Sequence, residues 1–276
     1  MKHMKRNTVK RMIALCAAAL TVCVVMTSCS GNRREETGVA NEKNMSITKA
    51  ADLEGKAVGV QLRSAVDEYV TANSLTAFPK RYEDLGNAAQ DLADKKLAAI
   101  VTDANYAKKL VADVEGLKVV KGSIGSIDYR FITNKSDEGF AEKLSGKFYT
   151  SEEESYADFI QQTLTECQDY TAAKGNGKFD ETYTFVAEPY FKPFAYESDG
   201  KLTGFFKAEA DIVAYRNKAK LDIKTVAENA VLSTVQETHY AFGVVHEEYD
   251  DENFITTDVF YTSELVMVVR ADEKKK

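Results

Sequence analysis

YTFVAEPYFKPFAYESDGKLTGFF, residues Tyr183 to Phe206, carries the most fold information per residue in this chain. Its opening, Tyr183 to Ala187, is rich in β-branched and aromatic residues and predicts a strand. Phe191-Lys192-Pro193-Phe194 then predicts a turn, because proline presets its own φ and removes an amide donor. Asp199-Gly200 predicts a tight hairpin, and Gly204-Phe205 leads into a helix expected from about Lys207 to Asn217. Downstream the alternation continues: a strand at Leu221–Lys224, a helix at Ala230–Glu237, a strand at Tyr240–Val245, and a last apolar strand at Glu264–Val269.

Upstream, Ser46 to Asn134 shows the same rhythm. Lys56–Gln61, Tyr82, Ala98–Thr102 and Leu117–Val120 predict strands, separated by helices at Ala65–Ala72, Asn87–Lys95 and Ala104–Val111. Ser64 is a natural N-cap for the first of these. Strands alternating with helices predict a parallel sheet covered by helices, an α/β class. Between the two blocks, Asp137–Phe148 and Glu152–Tyr170 have helical periodicity, and Thr171–Gly177 (TAAKGNG) is a break.

The first 28 residues are of another kind. Lys2, Lys5, Arg6, Lys10 and Arg11 precede an apolar run from Met12 to Met26, then Thr27-Ser28-Cys29. A positive leader, a short apolar core and small residues before a cut site predict a secretory signal. The core is too short to favour a stable span. Met26-Thr27-Ser28-Cys29 resembles the lipobox of bacterial lipoproteins, which implies lipidation of Cys29; an ordinary signal peptide cut nearby is the alternative. Gly31–Asn44 is polar and charged, the composition of a tether. Cys16 and Cys23 leave with the signal, so Cys167 is the one thiol expected in the folded body, most simply as a small buried residue.

Asp52-Leu53-Glu54-Gly55-Lys56-Ala57-Val58-Gly59-Val60-Gln61 and Asp91 to Asp103 resemble the second lobe of extracytoplasmic solute-binding proteins of amino-acid ABC importers. Tyr129–Lys135 resembles the strand by which the chain leaves that lobe, and Tyr183–Phe206 resembles the opening of the first lobe. Phe260-Tyr261-Thr262-Ser263 and the strand after it resemble the turn and crossover that lead from the first lobe into the second. The lobes therefore stand in reversed order. The resemblance implies a circularly permuted, two-lobed α/β protein of the type II periplasmic-binding-protein fold, with a ligand cleft between the lobes. Its implied divisions are a lipoprotein signal at 1–28, a tether at 29–45, one lobe at 46–128, crossover, helices and linker at 129–182, and the other lobe at 183–276, with a hinge strand at its end.

The resemblance also implies ligand contacts. Arg63, Ser64 and Ala65 match the turn whose hydroxyl and helix amides hold a ligand carboxylate, since a helix start attracts anions. Asp103 matches the acid that receives the ligand ammonium. Phe191 matches an aromatic that packs on the ligand, with Tyr190 beside it. Each residue has a structural alternative: Ser64 and Asp103 as helix caps, Arg63 as a solvated cation, Phe191 as core. The departures matter equally. The family's Thr-x-x-Arg, whose arginine grips the α-carboxylate, falls on Glu247-Glu248-Tyr249-Asp250, with no cation. Either Arg63 takes over the carboxylate from the opposite lobe, or the ligand is cationic or neutral and uses the acidic patch.

Catalytic candidates are sparse. His246-Glu247-Glu248 lacks metal-ligand spacing, Cys167 has no evident partner, and neither a phosphate loop nor a GxSxG turn occurs. We expect no enzyme, no cofactor and no metal. The net charge of -7 becomes -12 once the five leader cations are removed, since residues 1 to 28 contain no Asp or Glu. Such a body repels nucleic acid. The expected partners are a small polar solute, an ABC importer permease and, through the lipid, the outer face of a membrane. A monomer is expected, with a domain-swapped dimer as the structural alternative. A sensor or scaffold with a degenerate cleft is the competing function, and an enzyme on the same fold a third.

Overall fold

The computed structural model describes residues 46–137, 139–145, 156–170, 179 and 181–271. The expected signal at 1–28, the tether with Cys29, and the 171–177 break lie outside the described residues, as does part of the expected helix 137–148.

In chain order the first half holds a 3-10 turn (Ala50–Leu53), β1 (Ala57–Gln61), α1 (Ala65–Ala72), β2 (Phe78–Tyr82), α2 (Leu85–Ala93), β3 (Ala99–Asp103), α3 (Ala104–Asp113), β4 (Leu117–Val119) and β5 (Gly125–Asn134). Next come α4 (Phe140–Leu144), α5 (Tyr156–Ile160), which runs on into a π-helical turn (Gln161–Thr165), and β6 (Glu181–Ala187). The remainder is β7 (Tyr190–Phe191), β8 (Ala195–Ser198), β9 (Lys201–Thr203), α6 (Phe205–Arg216), β10 (Ala219–Thr225), α7 (Val231–Glu237), β11 (Ala241–Val245), β12 (Phe254–Thr256) and β13 (Tyr261–Arg270). Among the described residues no helix is long and apolar enough to cross a membrane.

Side-chain caps set where several helices begin. Ser64 Oγ accepts from the Asp67 amide at 3.2 Å and starts α1. α2 begins at Leu85, two residues before the expected Asn87, because Asp84 accepts from the Gly86 amide at 2.6 Å. The start of α6 is sealed by backbone: the Phe205 and Phe206 amides donate to the Pro193 and Phe194 carbonyls at 3.1 and 2.8 Å. That close approach requires glycine at 204, which sits at φ +105° with the Pro193 and Phe194 oxygens where a Cβ would be. The quoted stretch is thus a three-stranded ribbon, β7-β8-β9, docked on the helix it precedes.

The main sheet has ten strands among the described residues and two halves of matching order. The N-terminal lobe runs β2-β1-β3-β13-β4 and the C-terminal lobe β10-β6-β11-β5-β12. In each lobe β-α-β crossovers give parallel neighbours, and the fourth strand is an antiparallel one arriving from the other half. β5 pairs through Gly125–Tyr129 with β13 and through Arg130–Thr133 with β11. β13 pairs first with β5 and then, from Leu265, with β3 and β4. Two adjacent antiparallel strands therefore join the lobes, and the expected two-lobed α/β class is observed.

One core passes through this junction. Phe131 stacks on Phe260 with ring centroids 4.3 Å apart, and Tyr129 packs edge-on against Phe206 at 4.9 Å. Separate clusters fill the outer layers: Leu92, Ile100, Leu110 and Val268 in one lobe, Ile132, Val186 and Val235 in the other. Cys167, expected to be buried and within the helical stretch that ends at Tyr170, lies outside a helix. It is half-buried in irregular chain after the π-helical turn, at φ 54°, and burial pushes its thiol up to about 11, so it is a poor nucleophile.

Candidate functional site

The carboxyl end of β1 and the start of α1 face the β6–β7 corner and the end of β11 across a cleft of about 730 Å³. Its floor is the aromatic junction itself, Tyr129, Phe194 and Phe206, joined by Phe185 and Phe191. Its acidic and basic side chains are four glutamates, Glu68, Glu188, Glu228 and Glu247, against one arginine, Arg63, one lysine, Lys192, and His246. An apolar interior with a few converging polar groups is the usual make-up of a ligand pocket.

Of the expected contacts, Phe191, Ser64 and Arg63 all line this cleft. Ser64 is largely committed locally, since its hydroxyl donates to the Gln61 carbonyl at 2.8 Å while accepting from Asp67 N. Ala65 and Val66, whose first-turn amides no helix bond can satisfy, are lining residues. Arg63 adopts φ 58°, a left-handed conformation uncommon for a residue other than glycine, and extends to the other lobe. There its Nη1 meets Glu228 Oε2 at 2.5 Å, and its guanidinium lies 5.8 Å from the centre of the Tyr190 ring.

Two expectations are corrected. Asp103 is not on the cleft wall: it is 1% exposed, and its carboxylate accepts from the Asn105 and Tyr106 amides and from the hydroxyls of Tyr261 and Ser263. It caps α3 and ties that helix to β13. Burial, with the Asp103 charge second, pushes the Tyr261 hydroxyl far up, so it stays a donor. Tyr190 is half-exposed and does not line the cleft; its carbonyl accepts from Gln61 Nε2 at 3.2 Å, at the seam between lobes.

That seam holds the residues missed from sequence. Besides Gln61–Tyr190 and Arg63–Glu228, His246 Nε2 meets Glu68 Oε2 at 3.0 Å. The partners are 129, 165 and 178 residues apart, so no local pattern announces them. Both contacts are partly solvated, with exposures of 40% and 47% for Arg63 and Glu228 and 32% and 62% for His246 and Glu68. Each contributes on the order of 1 kcal/mol or less. These clasps across the mouth are therefore weak. Glu188 was missed too. Its Oε1 accepts from the Asn229 amide at 2.7 Å. Burial pushes its carboxyl above the ordinary value; the Asn229 amide opposes this, the Glu228 charge reinforces it and Arg63 opposes it.

The region where an arginine was expected carries none. Glu247 and Glu248 are exposed, and Asp250 pairs with Lys135 at 2.5 Å. Among the described residues no group of three or more His, Cys, Asp or Glu is placed to hold a metal ion.

No family model matches the chain, and no curated protein matches it. Solved structures do. A phosphate-binding protein of a phosphate ABC transporter from Streptococcus pneumoniae TIGR4 is 12% identical, with 80% of this chain and 90% of that chain covered and a TM-score of 0.43. The sulfate-bound regulatory domain of the Vibrio vulnificus OxyR2 E204G mutant is 10% identical, with 84% and 92% covered and a TM-score of 0.41. Full-length CbnR in complex with its target DNA is 10% identical, at a TM-score of 0.42; 81% of this chain is covered, and the chain spans 65% of that protein's length.

Proposed function

We propose that the chain is a lipid-anchored extracytoplasmic solute receptor that closes two lobes over a small polar molecule, an amino acid or a relative of one, and delivers it to an ABC importer permease. The observation that carries the reading is the cleft of about 730 Å³ between lobes joined by the β5–β13 pair. Two adjacent crossing strands form a hinge about which the lobes can open and shut. Weak clasps across the mouth suit such a motion, because opening to admit a ligand breaks contacts of only about 1 kcal/mol or less each. The reading includes permutation, since the lobe resembling the family's second precedes the one resembling its first. It assigns no catalytic step to the chain.

A thermal-shift screen of amino acids, polyamines and small peptides tests it. A ligand at a hundred times its dissociation constant stabilises by about 2.7 kcal/mol. At least one saturable upward shift is expected, and a flat response across the panel would transfer the protein to the scaffold reading. The clasps themselves favour that second reading in one respect: they satisfy Arg63 without a ligand.

A further inference from the structure

The charges facing the cleft point to a ligand class. Arg63, the arginine of the lining, is already held by Glu228 at 2.5 Å from the opposite lobe. The Lys192 ammonium lies 5.4 Å from the centre of the Tyr196 ring, which is not part of the wall. A ligand carboxylate entering here could reach Arg63 only by displacing Glu228, and would meet the remaining glutamates. A cation meets the opposite situation. Glu68 is engaged by His246, and Glu247 accepts from the Tyr249 hydroxyl at 3.1 Å on the exposed side. Glu188 is half-buried and uses one oxygen on the Asn229 amide, leaving Oε2 for another donor. A carboxylate stripped of water gains more from an ammonium than a solvated one does, because the contact is formed in a lower local dielectric. Burial has already raised this group, so part of its desolvation cost falls on the free protein rather than on binding. The floor beside it is aromatic, and fits an apolar body better than a second polar group.

We infer that the cleft takes a primary amine with an apolar body and no carboxylate, the ammonium on Glu188 and the body on Phe191 and the aromatic floor. The inference rests on the receptor reading and narrows it, away from ordinary α-amino acids. Glu228 acts as the specificity element, occupying the guanidinium that a carboxylate would need.

Calorimetric titration of the full chain with phenethylamine, phenylalanine and 3-phenylpropionate separates the terms, since the three share a ring and differ in charge. Phenethylamine is expected to bind saturably and phenylpropionate not at all. Glu188→Gln should weaken phenethylamine tenfold or more, while Glu228→Gln should strengthen phenylalanine relative to phenethylamine by freeing Arg63. Melting curves of both variants show that they are folded. Phenylpropionate binding as tightly as phenethylamine, or a loss of less than tenfold in Glu188→Gln, overturns the inference. If none of the three binds but another solute from the wider panel does, this inference fails and the receptor reading stands. If nothing binds, both fail.

Discussion

Replacing Asp103 separates a structural carboxylate from a ligand-binding one. Asp103→Ala removes the N-cap of α3, a loss of about 1 kcal/mol. It also strips the acceptor from two buried hydroxyls, Tyr261 and Ser263, both at 2.8 Å from Oδ2. Bonds to a charged partner contribute about 1.5 kcal/mol each at the lower end, so the expected total is about 4 kcal/mol. Asp103→Asn keeps the cap and loses only the charge, and about 2 kcal/mol is expected for it. Equilibrium unfolding in urea is the assay. With a slope of about 3 kcal/mol per molar for a body of this size, the alanine variant should unfold about 1.3 M earlier with the slope unchanged. A midpoint within about 0.3 M of the parent, combined with a lost response to ligand, would refute the buried-anchor assignment and return Asp103 to the cleft.

Three further outcomes are expected. Gly204→Ala should destabilise by about 3 kcal/mol or more, because φ +105° is a region essentially closed to other residues and the new Cβ lies 2.6 Å from the Phe194 oxygen; an unchanged melting temperature would contradict the sealed α6 start. Glu188→Gln should stabilise the ligand-free protein at neutral pH and lose that advantage in acid. The folded carboxyl is raised above its ordinary 4.5, so its burial costs nothing well below that value and costs most once pH exceeds the folded value; a pH-independent difference between the two melting curves would reject the assignment. Cys29→Ala should abolish labelling of the chain by radioactive palmitate in the producing bacterium and release it from the membrane fraction, whereas retained label would place the lipid elsewhere.

Much of the scaffold was legible because its signals are local. The α1 cap at Ser64, the buried strand ending at Asp103 and the last apolar strand all lie near their expected bounds. In the second helical stretch the apolar spacing of Phe159, Ile160 and Leu164 suits a continuous helix, yet the chain widens into a π turn there. β12 was missed: it is three residues long, and pairing with β5 defines it, which no local propensity reports. In the cleft, residue types were legible and orientations were not. Asp103 carries the right chemistry for an ammonium, but Tyr261 and Ser263, some 160 residues away, reach it. Glu188, Glu228 and His246 look like ordinary surface charges in sequence, and the two-lobed geometry brings them to one mouth.

The order of the strands has a consequence for biosynthesis. β3 and β4 both lie against β13, the last strand described, so the lobe made first cannot finish its sheet until nearly all of the other lobe has been translated. Through that interval the apolar edge of β3 has no native neighbour on that side, which is an invitation to sticky nascent chains. A polypeptide built this way gains from staying unfolded until it is released whole.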